Sequence, residues 1–311
     1  MGANMRKIIS ILLSILLIVT INQTNVLAED NVIPKDSKGI EYQVYSPEFP
    51  DAYIIINEKP RKMRASTFNV LSNSNTLNEV TATVFVEEEY DVVDGENVII
   101  KSKLLSKDEV MNLGVNNFQP LRVRANNIKT RSNTRGKLTI KLSGKYSIIG
   151  SGVTLNLVGS ANWADGLNLF GRGNENLPAP GEDFIGVTWS GGFTVKSSSI
   201  SGKNHLGNKL NIYESDSVPN SARVWSFNDL IRTSKYSFFA KDINLNMNLH
   251  KNRRTGNGNT AEAVLKYIHT YSGVKGTISI SAGSGGISGG FSLSNIEKQW
   301  SIVCTVTGIP Y

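Results

Sequence analysis

Apolar and polar residues alternate with a period of two along most of this chain. Trp300, Ile302, Cys304 and Val306 share one phase near the C-terminus, and Ser301, Val303, Thr305 and Thr307 share the other. Residues 277–282 and 291–294 alternate in the same way on either side of the glycine-rich run 283–290. Successive side chains of a strand point to opposite faces, so this pattern predicts half-buried antiparallel strands. Similar runs occupy 80–86, 97–100, 138–142, 153–157 and 184–196, with short strands expected at 42–45 and 53–56 between prolines. Ile243, Leu245, Met247 and Leu249 alternate with Asn244, Asn246 and Asn248, which predicts a strand whose outer face is lined with amides. Residues 261–271 fit two patterns. Ala261, Val264, Leu265 and Ile268 make a helical stripe, whereas Tyr267, His269 and Tyr271 share a strand face, and the β-rich neighbourhood favours the strand.

Helical signals are few. Ser106 and Glu109 have capping-box spacing, with Val110 and Leu113 able to face inward before Gly114. Residues 226–231 suggest one further capped turn, and Asp94-Gly95 suits a hairpin turn. The expected fold is all-β, an antiparallel sandwich-like or elongated architecture with one or two short helices.

The N-terminus changes the picture. Arg6 and Lys7 precede an apolar stretch over 8–21, and Val26-Leu27-Ala28 offers a peptidase site. Residues 1–28 therefore read as a signal peptide cleaved after Ala28, which leaves 283 residues for a secreted, extracellular protein. No later segment has the apolar length of a transmembrane helix. Cys304 is the single cysteine, so no intrachain disulfide can form, and its strand phase predicts a buried thiol.

Charge divides the remainder. Residues 29–121 carry sixteen Asp and Glu against nine Lys and Arg, whereas 122–311 carry ten against twenty-two. The expected organisation is an acidic β-rich segment (29–121), a basic linker (122–137) and a basic Gly/Ser/Asn-rich β domain (138–311). Arg122, Arg124, Lys129, Arg131, Arg135 and Lys137 form the linker's cationic set. Arg253 and Arg254 precede a Gly/Asn run able to cradle an anion. Such a module seeks anionic surfaces: a cell-wall polymer or a lipid surface. Nucleic acid is disfavoured, because the cations lack interleaved aromatics and the destination is extracellular.

Catalytic signatures are weak. His205, His250 and His269 share no ligand motif, so no metal site is expected, and nothing calls for a cofactor. Residues 286–290 match G-x-S-x-G, but no histidine follows Ser288. Glu87-Glu88-Glu89 reads as a solvated strand edge with carboxylates on alternate sides. The chain therefore reads first as a non-catalytic exported bacterial protein that associates with an anionic envelope polymer. A second reading is a membrane-active, pore-forming or antibacterial β-protein whose hairpin presents Ile278, Ile280, Phe291 and Leu293 to lipid. A third is a glycoside hydrolase using carboxylates among Asp165, Glu175, Glu182 and Asp183, near Trp163 and Trp189. The sequence sets no oligomeric state.

Overall fold

Alternation becomes two packed sheets. The structure, a computed structural model, describes residues 49, 51–59, 74–93, 96–113, 132–164, 182–204, 207–228, 230–232, 237–256, 258–271, 276–281, 290–296 and 298–311. These contain β1 (Ile54–Lys59), β2 (Ser74–Thr76), β3 (Glu79–Val93), β4 (Glu96–Leu104), α1 (Lys107–Leu113), β5 (Ser132–Ile149), β6 (Gly152–Ala164) and β7 (Glu182–Trp189). There follow β8 (Thr194–Asn204), β9 (Ile212–Val218), β10 (Ala222–Asn228), β11 (Leu230–Arg232), β12 (Ser237–Lys251), β13 (Thr260–Thr270), β14 (Thr277–Ile280), β15 (Phe291–Ser294) and β16 (Gln299–Pro310).

The larger sheet runs β1-β3-β5-β6-β12-β11, with β4 also on β3, β2 on β5 and β8 on β12. The smaller runs β16-β13-β7-β10-β9, and all the pairings described are antiparallel. The fold is the expected all-β sandwich. Its core takes the apolar phase of each strand: Val84 and Val86 of β3, Leu138 and Ile140 of β5, and Leu245 and Met247 of β12 meet Ile185, Leu265 and Ile302 of the smaller sheet. Gly159 lies in that inward phase because Leu245 fills its place; a β-carbon there would stand 2.9 Å from Leu245 Cγ.

The predicted C-terminal strands form as read. Trp300, Ile302, Cys304 and Val306 are buried, and burial pushes the Cys304 thiol far up in pKa. Residues 260–270 are strand, not helix, because β7 and β16 pair with β13 on its two sides. The capping box at α1 is reciprocal: the Ser106 amide donates to Glu109 Oε2 at 2.8 Å, and the Glu109 amide donates to Ser106 Oγ at 3.4 Å.

Two expectations need correction. Residues 226–231 do not make a helical turn: Ser226 and Phe227 continue β10, and Leu230 and Ile231 belong to β11. Phe227 is fully buried in the core, and pairing with β7 and β9 outweighs the local capping signal. The glutamate triplet is not a solvated edge, since Glu88 has no exposed surface. Its carboxylate occupies the same inward phase as Val84 and Val86.

The acidic and basic stretches share one sheet. β3 pairs with β5 from Val80–Leu142 to Tyr90–Ser132, which places residues 132–137 inside a strand. All described residues belong to one compact unit, Val44–Tyr311. The signal peptide, Arg122, Arg124, Lys129 and Arg131, and the loop acids Asp165 and Glu175 lie outside the described residues.

Candidate functional site

Polar residues gather at two places, one sealed and one open. The sealed one begins with Glu88 on β3, which faces the smaller sheet across the core. His269 on β13 meets it, with Nε2 3.0 Å from Glu88 Oε1. The other ring nitrogen, Nδ1, lies 3.1 Å from both carboxylate oxygens of Asp183 on β7. With its pKa held well above 6.5 the ring is an imidazolium at neutral pH, and its two nitrogens donate to the two carboxylates. Burial alone would lower the His269 pKa. The charge and hydrogen bond of Asp183, followed by those of Glu88, outweigh that penalty and hold it well above 6.5.

Neighbouring groups complete the arrangement. The Tyr267 hydroxyl donates to Asp183 Oδ2 and accepts from Trp163 Nε1 at 3.2 Å. The Thr270 amide donates to Asp183 Oδ1 at 3.0 Å. Ser102 donates to Glu88 Oε1 at 3.4 Å and accepts from Trp300 Nε1 at 2.9 Å. Trp163 and Trp300 wall the imidazolium, their ring centroids 5.8 and 5.0 Å from it. Glu88 and Asp183 are wholly buried and His269 nearly so. Two carboxylates and an imidazolium closed off in this way tie the two sheets together. Groups this deeply buried are out of reach of a substrate, so the arrangement serves as a clamp.

The open place is the outer face of the larger sheet along β6, β12 and β8; on β3 that face is covered where Phe85 packs with Leu105 and with Val110 of α1. Across four strands, Ser197 of β8, Asn248 of β12, Asn156 of β6 and Lys145 of β5 lie in register. The next row holds Ser199, Asn246, Val158 and Ser143, and the one beyond holds Ser201, Asn244, Ser160 and Lys141. Asn156 Nδ2 donates to Oδ1 of both Asn246 and Asn248 at 2.8 Å, and Asn248 Nδ2 donates to Ser197 Oγ at 2.9 Å. These bonds hold the amide planes in fixed orientations. Its carboxylates gather on β3, where Glu79, Glu87 and Glu89 share the outward phase. Glu79 pairs with Lys141 at 3.1 Å, and Asp242 accepts from Asn162.

The face and the loop at its end carry exposed cations. Lys145, Arg253 and Arg254 are exposed. The Arg254 amide donates to Ser151 O at 2.8 Å, which fixes the β12–β13 loop against the β5–β6 turn, five to six residues beyond Lys145. Gly256 and Gly258 of that loop both adopt φ 76°, a left-handed backbone that glycine accepts without strain.

The remaining sequence candidates are dispersed. Lys137 is half-buried on β5, and Arg135 lies on the same strand. Glu182 sits on the phase opposite Asp183, and its backbone oxygen accepts from Thr270 Oγ1 at 2.9 Å. Phe291 and Leu293 are buried against Phe184, Val224 and Ile268 of the smaller sheet, with Ile278 and Ile280 packed beside them. Gly186 admits this hairpin; a β-carbon there would stand 2.6 Å from Phe291 Cε1. Sequence reasoning passed over Glu88, His269, Tyr267 and Trp300 as a group. The available signal was phase, because each falls among the apolar positions of its own strand.

The fold defines the chain as a two-sheet antiparallel β-sandwich protein. No protein family and no curated protein matches the chain. Among solved structures it is similar to the crystal structure of collagen adhesin (CNA) from S. aureus, at 8% identity and a TM-score of 0.26, over 84% of this chain and 96% of that one.

Proposed function

We propose that this chain is an exported, non-catalytic binding protein whose β-sandwich associates with an anionic polymer of the bacterial cell envelope. The observation that carries this reading is the set of exposed cations on the polar outer face and at its end, Lys145 on β5 and Arg253 and Arg254 in the β12–β13 loop. None of these three cations has an ion-pair partner among the described residues. Unpaired exposed cations concentrate polyanions from solution, and salt weakens that attraction. The groups best suited to proton transfer, Glu88, Asp183 and His269, are consumed by the clamp and supply no open site.

Cosedimentation with purified cell walls tests the proposal. Binding should fall steeply between low and physiological salt, and the double variant Arg253→Gln/Arg254→Gln should bind several-fold less at the lower salt. Binding that ignores both salt and substitution would sink the reading. Dye release from anionic liposomes would instead favour the membrane-active alternative.

A further inference from the structure

The amide rows adjoin exposed cations on β5 and β8, and together they suit a narrower ligand than charge alone would select. Resting on the function proposed above, we infer that the outer face of β5, β6, β12 and β8 binds a phosphodiester-linked polyol, a linear polymer in which phosphates alternate with hydroxyl-bearing carbons.

The first argument is the donor and acceptor inventory. In the row Ser197–Asn248–Asn156–Lys145, Asn248 spends its Nδ2 on Ser197 and Asn156 spends its Nδ2 on two neighbouring amides. The carbonyl oxygen of Asn156 and the amide nitrogen of Asn246 make no bond among the described residues. Acceptor and donor thus stand on adjacent strands as diagonal neighbours, about 7–8 Å apart. A hydroxyl both donates and accepts, so a polyol engages the pair, while a bare phosphate chain, which only accepts, engages the donor alone. The amides are already oriented by their mutual bonds, so little side-chain freedom is lost when a ligand arrives.

The second argument is charge complementarity. Lys145 on β5 lies beside Asn156, with Thr76 of β2 beyond it, and Lys196, exposed at the bulge where β8 slips against β12, lies next to Ser197 on the other side. Cations flanking the Ser197–Asn248–Asn156 set on both sides match a repeat in which phosphate follows polyol. Asp242, the carboxylate of β12 on this face, sits at the far end, six residues from Asn248, and is held by Asn162. A neutral glycan would leave the cations unanswered. A bilayer would require exposed aromatic or aliphatic anchors, whereas the middle of this face offers Val158 alone.

Each contact is weak and solvent-exposed, so affinity comes from many repeats binding in succession. Soluble poly(glycerol phosphate) is the probe, applied to the full secreted chain by isothermal titration. Inorganic polyphosphate, dextran and phosphatidylglycerol vesicles serve as comparators. Wild-type protein should bind poly(glycerol phosphate) at least about tenfold more tightly than polyphosphate of equal charge. Asn156→Ala/Asn246→Ala should weaken binding about fivefold with an unchanged salt slope, and Lys145→Gln/Lys196→Gln should weaken it and flatten that slope. Unaltered thermal unfolding of both variants excludes a folding defect as the cause.

Equal affinity for polyphosphate, with the asparagine variant binding like wild type, overturns the polyol assignment while leaving the anionic-polymer function intact. Binding to dextran as tight as to the phosphodiester overturns it by removing the phosphate requirement. Binding confined to the vesicles overturns it in favour of a lipid surface. Failure to bind any of the polyanions, or walls, removes the function proposed above as well.

Discussion

Glu88 and Asn246 are both polar residues in the middle of long strands of one sheet, and they meet opposite fates. Glu88 shares the inward phase of β3 with Val84 and Val86 and ends in a core with no exposed surface. Asn246 falls between Leu245 and Met247 and so faces water. Parity alone separates them. Their partners differ in kind. An outward amide finds partners within its own sheet, as Asn156 does with Asn246 and Asn248. An inward carboxylate must find partners in the opposite sheet, and Glu88 finds His269, 181 residues away in sequence. Local pairing on the face therefore adds little to stability, whereas the clamp commits both sheets to one relative placement.

The strongest way to break this contrast is to remove one member of the clamp. Asp183→Ala takes away the acceptor for Tyr267, His269 and the Thr270 amide together. It leaves the buried Nδ1 of His269, the Tyr267 hydroxyl and the Thr270 amide without their acceptor, while Glu88 keeps its contact with Nε2. Breaking a buried charged pair from one side costs about 3–5 kcal/mol, so the urea midpoint should fall sharply. A loss below about 1 kcal/mol would place Asp183 among ordinary buried residues. The joint replacement Glu88→Leu/Asp183→Leu/His269→Phe sharpens the test. Removing all three charges restores most of the lost stability if the penalty comes from unpaired charge, because a packed apolar core of similar volume replaces the ion pairs at little cost.

Acidity and basicity probe the same clamp with a smaller effect. The folded pKa of His269 lies above its unfolded value of 6.5. Its protonated form therefore contributes stability that is complete below about pH 6.5 and declines as pH rises through the folded pKa. The protein should lose stability progressively on the alkaline side, and His269→Gln should flatten that limb of the curve. Urea unfolding at intervals from pH 6 to the alkaline range reads this directly. An unchanged alkaline slope in the variant would assign the dependence to another group.

Much of this contrast was legible in the sequence, and the reason is periodicity. Alternation located β12 with its amide face and β16 with Cys304 inward, and residue spacing located the capping box of α1. Alternation also put Glu88, Asp183 and His269 each in the apolar phase of its strand, which is a readable sign that buried ionic partners are required. The pairing itself was not legible. Glu88, Asp183 and His269 come from three strands in two sheets, and register across a sandwich depends on packing that no local pattern encodes. For the same reason, charge composition suggested an acidic and a basic portion, while β3 and β5 lie hydrogen-bonded along most of their length. Residues 226–231 erred in the opposite direction, since a local capping signal was outweighed by strand pairing on both sides of β10.

The smallest effect tests the open half of the comparison. Asn246→Ala removes the acceptor of one of the two bonds from Asn156 Nδ2, and the other, to Asn248, remains. The site faces water, so solvent replaces the lost partner and no buried group is left unsatisfied. Alanine has lower strand preference than many residues, although asparagine is itself disfavoured in strands, so the propensity change is small. Stability should therefore stay within about 0.5 kcal/mol of wild type. That near-neutrality is informative when set beside Asp183→Ala. An exposed amide row that contributes almost nothing to folding, yet keeps its side chains aligned across three strands, is free to be shaped by what it binds. If Asn246→Ala instead cost as much as a clamp substitution, the amide row would be part of the scaffold, and parity would no longer separate the two regions.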